Sequence, residues 1–287
     1  MNYILVTIAT VLLAFDFALS KKYQSTEGTG IRAGLMFNIW NGLFTAVIFF
    51  ALCGFKIEFS WFSALMALGM SLCAISYSII GFRILKSGGM ALYSIFLMLG
   101  GMLLPYLFGV LFLKESLTLM RVVGVLLIIA AVICSGRAKY DVSPKIYLLC
   151  FAVFALNGCV SIISKCHQIG TAFLPVDSTT FVMYSGITKF LVSSAALLVC
   201  EEKNVTLSFS AKSAGIAVFC SAVIGGVSYM LQLIGAKELP ATVLYPIVTG
   251  GSILFSALAG KVFFKEKLSL YQLLSIGLCI VGTLLFL

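Results

Sequence analysis

The sequence is a succession of apolar stretches, each about 20 residues long, separated by short polar breaks. A bilayer core is about 30 Å thick and takes about 20 helical residues to cross, so this repetition constrains the chain more than any motif does. Backbone N–H and C=O groups in lipid find no water and must bond within their own segment, which makes each stretch an expected helix. The stretches fall at residues 2–20, 31–54, 60–82, 90–113, 118–136, 146–165, 178–200, 213–236, 240–262 and 269–287. The expected fold class is an all-α membrane protein with ten transmembrane helices.

Composition excludes a soluble alternative. Hydrophobic residues make up 61% of the chain and charged residues 10%, against roughly 25% charged in an average soluble domain. Ten spans use most of the 287 residues, and the longest loop, around 201–212, has no room for a catalytic domain. No basic residue precedes the first span and no A-x-A-like site follows it, so it is read as a retained helix. The nine cysteines lie in apolar spans or, for Cys166, at the edge of one, without a C-x-x-C pair, and His167 is the only histidine. Neither a metal site, a cofactor nor a disulfide framework is expected. No H-E-x-x-H, G-x-S-x-G or clustered carboxylates occur, so no catalytic residues are assigned and the chain is not expected to be an enzyme.

A net charge of +9 would suggest nucleic acid for a soluble protein. Here the basic residues gather at span ends, where they fix orientation, and no nucleic-acid partner is expected. Thirteen fall in odd-numbered loops and five in even-numbered ones. The positive-inside rule then puts both termini outside.

The chain also resembles itself. At an offset of 144, Tyr3, Ser20, Lys21 and Gln24 fall on Tyr147, Ser164, Lys165 and Gln168. At 147, Met36 and Cys53 fall on Met183 and Cys200. At 152, Ser76, Tyr77, Leu92, Tyr93 and Ile95 fall on Ser228, Tyr229, Leu244, Tyr245 and Ile247. At 151, Gly109, Phe112, Lys114, Glu115 and Leu117 meet Gly260, Phe263, Lys265, Glu266 and Leu268. Each change of offset falls near a loop or helix end. The expected organisation is two five-helix repeats, 1–139 and 140–287, within one transmembrane domain. An odd number of spans per repeat inverts the second against the first, a plan that recurs in transporters because a site between two quasi-symmetric halves can be exposed to either side.

The paired segments, above all Tyr245, Pro246, Gly260, Phe263, Glu266 and Leu268, resemble the EamA family of the drug/metabolite transporter superfamily. The resemblance spans essentially the whole chain. It implies a ten-helix transporter in which helices 4 and 9 line a central cavity, and it implies cytoplasmic termini, opposite to the charge count. The chain departs from the pattern at Ser94, which stands where the second half has Pro246.

Polar residues inside spans are the candidates for the transport path, since such groups are costly against lipid. Asp16 is the one carboxylate well inside a span and could take a cation or a proton, or pair with Lys21 or Lys22 a turn away. Lys189 lies mid-helix and could hold an anionic or zwitterionic substrate, neutralise Asp16 across the bundle, or bond backbone carbonyls. Ser228 and Gln232 continue a small and polar stripe with Ser221 and Gly225, readable as cavity wall or as close helix packing. Tyr77, Tyr93, Tyr229 and Tyr245 are symmetric aromatics with polar tips, suited to an amphipathic substrate or to filling space. Asn157 shares a face with Ser161, Ser164 and Lys165, while Asn38 and Asn41 are weaker candidates. Glu115 and Glu266 are each expected only to complement the dipole of the helix that follows.

The function expected is secondary transport of a small organic metabolite, an amino acid or related compound, across the cell membrane by alternating access, with a proton as candidate coupling ion. The alternatives are an organic-cation or quaternary-amine transporter using Asp16 and the tyrosines, and a non-catalytic membrane scaffold with no sealed cavity. The partners expected are a small organic substrate and the lipid bilayer, with the protein a monomer or homodimer.

Overall fold

The computed structural model describes residues 2–28, 30–86, 90–135, 144–170, 173–199, 212–264 and 269–286. They form ten helices: α1 (Asn2–Glu27), α2 (Ile31–Leu52), α3 (Trp61–Lys86), α4 (Met90–Leu111), α5 (Leu119–Ser135), α6 (Pro144–Ile169), α7 (Ser178–Val199), α8 (Lys212–Glu238), α9 (Ala241–Phe264) and α10 (Leu270–Leu284). Eight are long and apolar enough to cross a membrane. The other two, α5 with 17 residues and α10 with 15, rise about 25 and 22 Å, short of the hydrocarbon thickness. They pack against each other. The expected long loop at 201–212 lies outside the described residues except for Lys212.

Helix ends follow local chemistry. Asp177 caps α7: its carboxylate accepts the Thr180 N–H at 2.9 Å and the Thr180 hydroxyl at 2.8 Å. Burial pushes the Asp177 carboxyl up, but hydrogen bonds from Thr180 and Thr179 outweigh it and hold the group below its usual range. A capping box of Ser269 and Gln272 opens α10, while Glu266 lies outside the described residues. The expectation for Glu115 is corrected. Its carboxylate reaches past α5 to the start of α9, accepting the N–H groups of Ala241 at 2.7 Å and Thr242 at 2.8 Å. Both helix N-termini attract a negative charge. At the start of α5 the Thr118 hydroxyl accepts the Arg121 N–H at 3.3 Å, while at α9 the first N–H groups turn to the Glu115 carboxylate.

The outer surface is apolar, unlike that of a soluble domain, and polar groups are buried among the apolar clusters of the interior. Large apolar side chains such as Leu65, Leu148, Phe151, Leu191 and Val262 are exposed, while Thr10, Asn41, Thr45, Ser185, Ser221 and Ser252 are buried. Lipid supplies no hydrophobic drive between helices, so close approach and hydrogen bonds hold them. At Gly42 and Gly186 the α2 and α7 backbones nearly touch: a Cβ on Gly42 would lie 2.8 Å from the Gly186 carbonyl oxygen.

The neighbours repeat across the halves. Helix α1 packs on α8 and α9, and α6 packs on α3 and α4; α2 packs on α7, α5 on α10 and α4 on α9. Exchanging every helix for the one five places along maps these pairings onto themselves. The expected boundary between residues 139 and 140 lies outside the described residues.

Candidate functional site

Every helix except α5 and α10 contributes, among the described residues, to the wall of a cavity of about 510 Å³. That size suits a small organic ligand. Helices α4 and α9 carry Pro105 and Pro246 in their interiors. Proline cannot donate to the carbonyl four residues back, so the ladder opens at Gly101, itself on the wall, and at Thr242.

Asp16 and Lys189 are the only charged side chains on the wall among the described residues. They are joined through two neutral groups. Lys189 Nζ donates to Asn41 Oδ1 at 3.0 Å, Asn41 Nδ2 donates to Ser221 Oγ at 3.1 Å, and Ser221 Oγ donates to Asp16 Oδ1. An ammonium has only protons to give, so the Asn41 oxygen must face it and its NH₂ must face Ser221. Every link therefore runs from ammonium to carboxylate, across α7, α2, α8 and α1. Gly225 makes the room: a Cβ there would lie 2.9 Å from Asp16 Cγ.

A second group of polar atoms comes from α6, α8 and α9. Tyr229 OH and Ser164 Oγ lie 2.8 Å apart, and Tyr245 OH donates to the Ser161 carbonyl at 2.5 Å. Asn157 Nδ2 donates to the Leu97 carbonyl at 2.7 Å, tying α6 to α4. Gln232 Nε2 donates to Ser228 Oγ at 3.2 Å.

Seven of the nine residues singled out from sequence thus share one wall: Asp16, Tyr77, Asn157, Lys189, Tyr229, Gln232 and Tyr245. Two do not. Tyr93 packs against Gly81, whose Cβ would meet its ring at 2.6 Å, in a separate apolar cluster with Ile84, Leu92 and Cys150. Ser228 is fully buried and donates to the Ala9 carbonyl at 2.7 Å, binding α8 to α1. Of the two readings of that stripe, close packing describes Ser228 and cavity wall describes Ser221, Gly225 and Gln232. The links through Asn41 and Ser221 went unrecognised in sequence. An asparagine at one site and a lysine 148 positions later carry no shared signal.

The arrangement offers a carboxylate for a cation or proton, an ammonium for an anion, and hydroxyls and aromatic rings between. No curated protein matches the sequence. A crystal structure of another protein, 17% identical, superposes with a TM-score of 0.79 over 98% of this chain and 94% of that one, which shows a shared fold. The sequence profile of the EamA-like transporter family matches residues 144–287, half of the chain. A multi-pass membrane protein with a cavity among its helices that carries one carboxylate and one ammonium among the described residues, this chain belongs to the EamA-like transporter family, whose members carry small molecules across membranes.

Proposed function

We propose that the protein is a secondary transporter of a small organic metabolite, an amino acid or related compound, acting at the cell membrane by alternating access between two inverted five-helix repeats. The observation that carries this reading is the cavity whose only charged wall groups, among the described residues, are one carboxylate and one ammonium held apart by Asn41 and Ser221. A wall of zero net charge favours a zwitterion, whose two charges find partners on it. A net-charged guest would leave a buried charge uncompensated. Lys189 therefore weighs against a quaternary amine, and the cavity itself weighs against a scaffold. Asp16 is the group proposed to take the coupling proton.

Flux into proteoliposomes tests the proposal. Labelled amino acids, amines and nucleosides are screened with and without a pH gradient. At least one zwitterion is expected to move faster than in empty vesicles, and Asp16→Asn is expected to abolish its response to the gradient. No flux and no ligand-induced thermal shift across the panel would refute the transporter reading, and an unchanged gradient response in Asp16→Asn would remove the proton assignment.

A further inference from the structure

The cavity wall at Ser164, Ala236 and Tyr245 is backed by a set of bonds that the ion relay does not use. Helix α8 ends at Glu238 and α9 begins at Ala241, so Leu239 and Pro240 alone turn the chain. A turn this tight leaves the last carbonyls of one helix and the first N–H groups of the next without partners in their own ladders. Opposite charges from two other elements fill both sets. The Lys165 ammonium, from α6 and only 4% exposed, donates to the carbonyls of Ala236 and Leu239, each at 2.7 Å. The Glu115 carboxylate, from the connection between α4 and α5, accepts from Ala241 and Thr242.

We infer that Lys165 and Glu115 form a gate, a charged clamp that holds the α8–α9 corner shut over one end of the cavity and must release for substrate to pass on that side. Four charge-assisted bonds converge on the corner, and such bonds are stronger than neutral ones. One of the four groups belongs to a residue on the cavity wall, Ala236, and α9 reaches that wall at Leu244 and Tyr245, within a turn of Ala241 and Thr242. The clamp joins the corner to both halves of the chain, so sliding α8 and α9 away from α4 and α6 breaks all four bonds together. Lys165 and Glu115 thereby act as positioning residues. This role rests on the alternating-access reading above.

Hydrogen–deuterium exchange of the full chain in lipid nanodiscs, paired with flux in proteoliposomes, tests it. Glu115→Gln and Lys165→Met are compared with the wild type. Both variants are expected to exchange at least about tenfold faster over residues 239–245, with α2 and α7 unchanged, and both are expected to alter the flux of a substrate that the wild type carries. Glu115→Asp, which keeps the charge, is expected to lie between them and the wild type. Unchanged local exchange overturns the clamp, as does a rise spread over all the helices. A local rise with normal flux overturns the gate and leaves a structural cap. A wild type that carries no substrate removes the transport reading and the gate with it, and the exchange profile still reports the clamp separately.

Discussion

Two corners of the bundle related by the internal repeat differ in chemistry. One holds Asp16, Ser221, Asn41 and Lys189, linked across four helices. Under offsets of 144, 152 and 147, these positions correspond to Val160, Gly69, Thr188 and Gly42, none of them charged. At the second corner Thr188 shares a hydrogen bond with Ser71 at 2.8 Å and bonds the Tyr184 carbonyl at 2.9 Å, and no ion is involved. The counterpart of Lys189 is Gly42, where α2 and α7 come too close for any side chain. The pairing of helices is repeated between the halves, while both charges lie at one of the two corners. The backbone plan is shared and the site is not.

Breaking the charged corner is expected to have the largest effect. Lys189→Met removes the ammonium that the half-buried Asp16 carboxylate faces through Asn41 and Ser221. The remaining carboxylate then has no counter-ion on the cavity wall among the described residues, so a large drop in thermal stability and loss of flux are expected. The double variant Asp16→Asn with Lys189→Met is expected to regain much of the stability and none of the flux. A double variant as unstable as the sum of its parts would show that the two charges are not coupled.

Gly225→Ala drives a methyl group toward Asp16 without touching any charge. Overpacking of this kind costs about 1–3 kcal/mol, and flux is expected to fall by about tenfold through displacement of the carboxylate. Unchanged transport kinetics would show that the position of Asp16 is not critical.

Asp177→Ala acts on both corners at once, since α7 carries Thr188 as well as Lys189. Loss of an N-cap costs about 1 kcal/mol. Because the folded-state pKa lies below the unfolded one, the cap's contribution is full above the ordinary carboxylate range and fades as pH falls through the depressed value. The stability gap between wild type and variant is therefore expected to close in acid, and a gap constant down to the lowest pH would contradict it.

The smallest effect is expected at the quiet corner. A Cβ on Gly69 meets only Ile163 Cδ1, at 3.9 Å, so Gly69→Ala is expected to change melting temperature and flux little. A loss comparable to that of Gly225→Ala would erase the contrast between the corners.

How far the sequence reached differs by scale. Helix positions were legible because crossing a bilayer imposes a length and an apolar composition on each stretch separately. The eight long helices follow the expected spans, and α1 and α6 run past them through polar ends such as Lys21–Glu27, which the apolar count had trimmed. Candidate polar residues were legible one at a time, because an Asp or Lys amid apolar neighbours stands out. Their grouping was not: Tyr93 and Tyr245 looked equivalent in sequence, and both pack in apolar clusters, yet of the two only Tyr245 reaches the cavity wall. Glu115 looked like a local cap until its carboxylate was found on α9.

From sequence alone came the membrane class, the order of ten helices and the likeness between halves, all properties of short segments with a fixed period. Tertiary structure alone decided that Asp16 meets Ser221, 205 positions away, and that Lys165 and Glu115 grip one corner. Those meetings depend on the angle and rotation at which helices pack, which close contacts between small residues set and no local pattern encodes.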